Sequence, residues 1–347
     1  MTILAERVDV VIGVDTHTDT HTAALLTAAG AIVADLTVGA DEQGAAKLLA
    51  WVEAHAEGLR REWIVDGARS HGVGLTRYLL AAGQIVRDAA RVPGAARRRG
   101  GKSDLLDAVH VARIALTAEQ VSDPRRDGDR EALRILHTVR RHGTDTRTAT
   151  VNLLKSLILT AEDALRAQLR GLNTDQQVRH LATLQPGPGA ETLDRIRHEQ
   201  LHALALQIST LDRMLADNLK QIRTLVAAIC PALLDEPGIG PVSAAAALTA
   251  WSHPGRLRNE AAFACLAGVN PIPASSGRTQ RHRLNRGGDR KLNAALHTIV
   301  ISRRRNHQPT IDYTARRTAE GRTPKEINRS LKRYVARRIY RIMEASA

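Results

Sequence analysis

Through the first ninety residues short strand-like apolar runs are interleaved with two helical stretches, and beyond them a period near 3.6 dominates. "VDVVIGVD" (8–15) reads as a buried strand that ends on Asp15. "THTAALLTA" (20–28) and "AIVADLTV" (31–38) follow, split by Ala29-Gly30, which is a hairpin signal. Residues 41–56 space Ala45, Leu48, Leu49 and Val52 on one helical face. "EWIVD" (62–66) is a short strand that again ends on an acid, and "GVGLTRYLLAAG" (72–83) is a helix stopped by Gly83. "QIVRDA" (84–89) is a fifth strand, and a helix runs from about Ser103 to Leu116.

Three strands in a meander, followed by alternating helix and strand, is the order of a ribonuclease H-like α/β domain. The pattern gives the order; the fold name is an analogy that gains weight only if the acids fall in the right places.

The remainder reads as helical. "EQVSDPRRDGDR" (119–130) is a polar linker, a long helix is expected over about 131–170, and "LQPGPGAE" (184–191) is a break. From Leu201 the apolar residues Leu204, Ile208, Leu211, Leu215, Ile222, Leu225 and Ile229 recur in heptad-like steps. That stripe fits either a helix packed on its own domain or a coiled-coil dimer contact. "LLDEPGIGPVSAAAAL" (233–248) resembles a helix–hairpin–helix turn, in which Gly238 and Gly240 would let backbone N–H groups approach a phosphate.

Charge narrows the partner. The 347 residues carry a net charge of +14, with a sequence pI near 10.7, which points to a polyanion. From Gly277 to Met343 there are 19 Lys and Arg against four acids. One Phe, three Trp and four Tyr leave few platforms for stacking bases, so phosphates and duplex shape are the expected targets. Cys230 and Cys265 form neither a disulfide framework nor a zinc pattern and are expected to be buried thiols. No signal peptide or membrane-spanning run is evident, so a cytoplasmic protein is expected.

Four acids stand at element ends: Asp15, Asp66, Asp104 and Asp107, the last two on one helical face. In a ribonuclease H-like fold they converge at one sheet edge, where Mg²⁺ would relieve their repulsion. Two such ions about 4 Å apart assist phosphodiester cleavage; Mn²⁺ is an acceptable substitute. Taken singly, each acid could merely cap an element, as Asp104 could cap its own helix. Asp19 and Asp35 compete less well, and Asp88 is a backup ligand. None of the 14 histidines has zinc spacing; His17 and His21 lie across a loop and a strand and are not expected to pair as ligands. Arg97, Arg98, Arg99 and Lys102 precede the paired aspartates and are candidate phosphate contacts. Ser275 and Ser276 sit in a loop followed by Arg278, Arg281, Arg283 and Arg286. On spacing alone this is a turn; with a cation-polarised phosphate it could hold a nucleophile.

"VIGVDTHTDTHTAALL", "IVDGARSHGVGLTRYLLAAG", "RRRGGKSDLLDAVHVARIAL", "PGIGPVSAAAAL" and "SSGRTQRHRLNRGGDRKLNAALHTI" together resemble, in order, the DEDD transposases of bacterial insertion sequences, the bridge-RNA-guided serine recombinases. The resemblance implies a RuvC-like domain over 1–120, a helical or coiled-coil dimerisation segment over 121–229 and a mainly α-helical transposase domain over 230–347. It places the acidic tetrad on Asp15, Asp66, Asp104 and Asp107 and the serine on Ser276, with Ser275 as alternate. Here Asp66 stands where the family usually has Glu, and Ala68-Arg69 and His71 stand where it has Thr-Gly and Tyr. Implied partners are donor and target double-stranded DNA, a structured noncoding guide RNA, and further copies of the chain as a dimer assembling to a tetramer. Two rival readings remain: a resolvase-like nuclease that uses water as nucleophile, and an inactive nucleic-acid-binding relative.

Overall fold

The computed structural model describes residues 3–89, 103–185, 191–274 and 282–346, and the chain divides into two compact units, Met1–Arg125 and Arg126–Ala347. The first is an α/β unit. Its strands are β1 (Val10–Thr16), β2 (Thr20–Thr27), β3 (Ile32–Gly39), β4 (Arg61–Val65) and β5 (Val86–Asp88), with helices α1 (Glu42–Ala56), α2 (Val73–Ala81) and α3 (Asp104–Leu116). Strand order is β3-β2-β1-β4-β5; the β1–β2 and β2–β3 pairs are antiparallel, and β1–β4 and β4–β5 are parallel. This is the meander-then-crossover order that the hydrophobic pattern predicts.

Two cores follow from the period of two. Val10, Ile12, Val14, Leu25 and Trp63 face α1 and α2, packing on Leu48, Val52, Leu75 and Leu79. Val11, Leu26 and Ile64 face the other way and pack on Ala108, Val109, Ala112 and Leu116 of α3. Gly13 is the contact point on that second face. A Cβ there would lie 2.1 Å from the Ala108 carbonyl oxygen, so only glycine lets α3 seat on β1. Ser103, not Asp104, caps α3: its hydroxyl accepts the Leu106 N–H at 3.2 Å. Asp104 is therefore left free for another task.

The second unit is nearly all helical: α4 (Asp129–Leu159), α5 (Asp163–Leu169), α6 (Thr174–Leu181), α7 (Thr192–Ile229), α8 (Ala232–Asp235), α9 (Pro241–Trp251), α10 (Glu260–Leu266), α11 (Arg290–Asn306), α12 (Gln308–Ala319) and α13 (Pro324–Ala345), with a two-stranded ribbon of β6 (Ile272–Pro273) and β7 (His282–Arg283). The helix expected over 131–170 breaks after Leu159, and α5 forms separately. Helices α4 and α7 run antiparallel, as the Asn218 amide donating to Leu136 O, Arg140 donating to Leu215 O and the Arg147–Asp212 pair show.

The heptad-like stripe of α7 is used within the chain. Leu201, Ala205 and Ile208 join a distal core with α5 and α6, while Ile222 and Val226 join the main core with α9, α11 and α13. Helix α9 is buried at every residue from Ser243 to Trp251, and its small side chains let neighbours pack around it. Cys230 is buried as expected, but Cys265 is exposed, because α10 turns that face outward. No helix among the described residues is long and apolar enough to cross a membrane.

Candidate metal centre and basic cleft

Asp15 is the sixth residue of β1, and the end of β4 lies beside it. The Asp66 N–H donates to Val14 O at 2.9 Å, and the Thr16 hydroxyl donates to Asp66 O at 2.6 Å. These two bonds hold the ends of the parallel strands together and put both acids at one edge. Helix α3 crosses the opposite face at Gly13, and its first turn brings Asp104 and Asp107 to the same edge.

The electrostatics of Asp15 couple it to the other three acids. Asp15 is buried, and burial is the largest cause that raises its pKa; His17 opposes the rise, and Asp107, Asp66 and Asp104 add to it. A buried carboxylate facing three others is a place where a cation is stabilising. Asp35 is exposed on β3 as alternation requires, and Asp88, opposite Val65 on β5, is not among the groups that shift Asp15.

The side chain sequence reasoning missed is His17. It follows β1 directly, where its N–H bonds Thr20 O at 2.9 Å in the turn to β2. Its Nε2 lies 3.1 Å from Asp15 Oδ2 and 3.4 Å from Asp104 Oδ1. Asp15, His17 and Asp104 offer one donor atom each within 4.8 Å of one another, a set that could hold a metal ion. Spacing between histidines does not reveal it; the signal is a histidine two residues after a strand-terminal acid. His21 does not join the set: it is buried on β2 opposite Thr16, and burial lowers its pKa. Carboxylate and imidazole donors on a rigid edge fit a divalent cation.

In the second unit a cleft of about 810 Å³ opens beside β7 and α13. Arg283, Arg317, Arg322, Arg329, Lys332 and Arg333 line it, and Glu326 is the one acid among its described lining residues. Burial and the neighbouring Arg329 lower the Lys332 pKa, and its ammonium donates to Asn293 Oδ1 at 3.0 Å. Such a concentration of like charge is stabilised by an anion. Arg286 is exposed on the approach to α11. Ser275, Ser276, Arg278 and Arg281 lie outside the described residues, as do Arg97, Arg98, Arg99 and Lys102.

The turn before α9 departs from the helix–hairpin–helix expectation. Gly238 has a φ of +76°, and a Cβ on it would meet Arg303 Cγ at 3.0 Å and Ile299 O at 3.1 Å, so its close approach is to α11. Arg303 donates to Pro237 O at 2.7 Å and pairs with Glu236 at 3.1 Å, which clamps the turn from inside. Gly240 is exposed with open space around its Cα.

Residues 12–161, which contain all four acids, match a transposase family of the DEDD, IS110 type, and residues 230–316 match the IS116/IS110/IS902 transposase family. The chain matches the IS110-type transposases over both stretches. A probable family 20 transposase of Pseudomonas aeruginosa PAO1 is 28% identical over 203 residues, covering 57% of this chain and 58% of the relative. The chain thus spans less than two thirds of the length of that curated relative. The matched DEDD transposase family is one that calls for a divalent metal, and Asp15, His17 and Asp104 have donors that could hold one.

Proposed function

We propose that this protein is an insertion-sequence transposase that cuts, exchanges and rejoins DNA strands with a metal-dependent acidic centre and a serine nucleophile. The observation that carries the reading is the convergence of Asp15, Asp66, Asp104 and Asp107 on one sheet edge, inside the stretch that matches a DEDD transposase family. Those carboxylates would hold Mg²⁺, in the two-ion arrangement, with Mn²⁺ as substitute. When bound, the ions supply Lewis-acid stabilisation of charge on the scissile phosphate.

In this reading residues 1–120 form the catalytic domain, 121–229 the helical dimerisation segment and 230–347 the transposase domain with the serine loop. Ser276, with Ser275 as alternate, attacks the phosphorus through Oγ. The P–O bond to the leaving strand breaks, the proton lost from the serine hydroxyl balances the one the leaving strand takes up as it departs as a hydroxyl, and a phosphoserine ester keeps the bond for rejoining. The cleft residues Arg283, Arg329 and Arg333, with Arg278, Arg281 and Arg286, contact DNA phosphates, and so do Arg97, Arg98, Arg99 and Lys102, which precede Asp104 in the sequence. Gly240 adds the open N-terminus of α9. Exposed apolar residues on α4 and α7, among them Val139, Leu206 and Met214, supply the contact with a second copy, and dimers assemble to a tetramer on donor and target DNA. A structured noncoding RNA selects those DNAs by pairing.

The test is covalent trapping. Denaturing gels of wild type with labelled donor DNA should show a protein–DNA adduct that is lost in Ser276→Ala, or in Ser276→Ala with Ser275→Ala. Cutting and rejoining at the wild-type rate in the double variant would instead establish water as nucleophile and a resolvase-like nuclease. Binding without cutting by wild type would point to an inactive relative.

A further inference from the structure

His17 stands out among the residues at the acidic edge. Its side chain is 47% exposed, so it fills no core, yet its Nε2 is directed between two carboxylates from different elements, 3.1 Å from Asp15 and 3.4 Å from Asp104. The backbone fixes it there through the His17 N–H to Thr20 O bond and the Thr16–His21 pairing of β1 with β2. Asp66 and Asp107 are both outside the set of donors within 4.8 Å, although both are close enough to raise the Asp15 pKa. The edge therefore brings one imidazole and two carboxylates, rather than four carboxylates, within reach of a single ion.

We propose that His17 is a direct metal ligand, so that the centre is a mixed imidazole–carboxylate site that favours Mn²⁺ over Mg²⁺. This rests on the reading that the acids hold a divalent ion. Mg²⁺ is a hard ion that takes oxygen donors and sheds water reluctantly. Imidazole suits first-row transition ions better, and Mn²⁺ accepts both nitrogen and oxygen. The lone pair of the neutral ring is the ligand. The His17 contact to Asp15 and Asp104 seen here would give way to three bonds converging on one ion.

The test uses Mn²⁺ alone as probe on the full-length chain, read by pulsed electron paramagnetic resonance and by titration calorimetry. Bound Mn²⁺ should show nitrogen modulation from one imidazole. That modulation should vanish in His17→Ala and in His17→Gln but persist in His71→Ala, a control for the neighbouring ring. Mn²⁺ affinity should fall by at least about tenfold in the two His17 variants, since losing even a partner one shell out costs that much, and the preference for Mn²⁺ over Mg²⁺ should narrow. Circular dichroism checks that the half-exposed position leaves the fold intact. Mn²⁺ binding that depends on Asp15 but shows no nitrogen modulation, or modulation that survives His17→Ala, overturns this inference and leaves the acidic centre standing. Absence of saturable Mn²⁺ binding to wild type overturns both.

Discussion

Asp15 shows what one residue carries. It is buried, flanked by three acids, and its pKa is raised chiefly by burial. Without metal the ionised form is destabilising, so Asp15→Asn should raise the melting temperature of the metal-free protein. Wild type at a hundredfold excess of Mn²⁺ over Kd should gain about 2.7 kcal/mol, and Asp15→Asn should gain none; differential scanning calorimetry reads both. Gly13 is the second such residue. A Cβ there meets the Ala108 carbonyl oxygen, so Gly13→Ala should cost roughly 1–3 kcal/mol by urea denaturation and should weaken Mn²⁺ binding by displacing the first turn of α3. The four acids were legible in the sequence because each stands at the end of a patterned element. His17 was not, because its partners come from β1 itself and from a helix almost ninety residues away, and no local spacing encodes that.

At the scale of elements the first unit was nearly transparent. Alternating strands and short helices have distinct periods, and the hairpin at Ala29-Gly30 and the stop at Gly83 are glycine signals. The second unit was less so. The end of α4 at Leu159 has no proline or glycine to mark it, and a heptad-like stripe on α7 does not say whose helix covers it. Here α4 does, and Leu201 and Ile222 are fully buried. Ile222→Ala should therefore cost about 2–5 kcal/mol of stability. Met214 is 57% exposed, so Met214→Ser should change stability by under about 0.5 kcal/mol. Combined with Leu206→Ser it should shift the sedimentation of any dimer toward monomer, if the second copy packs on the outer faces of the helix pair as proposed.

The whole molecule keeps its acidic edge in one unit and its basic cleft in the other, a division that charge counts hinted at through 19 cationic residues between Gly277 and Met343. The contacts form two compact units, and Leu133, Ile222 and Val226 pack into the core with α9, α11 and α13. The gathering of Arg283, Arg317 and Arg329 round one cleft was not legible, since they belong to β7, α12 and α13. If the cleft seats a phosphate backbone, Arg329→Ala should weaken DNA binding to a similar degree for unrelated sequences. It should also reduce the slope of log affinity against log salt by about one, a result accessible by fluorescence anisotropy across salt concentrations.

The claim that the acidic edge drives strand transfer is tested most directly by a strand-exchange assay on donor and target DNA, with the guide RNA, in Mn²⁺ or Mg²⁺. Wild type should yield joined product that disappears when the metal is chelated. Asp15→Asn and Asp104→Asn should each lower the rate by at least about a hundredfold, the scale of losing one preorganised electrostatic contact, while still binding DNA. Joined product formed at the wild-type rate by either variant, or by wild type in chelator, would contradict the account.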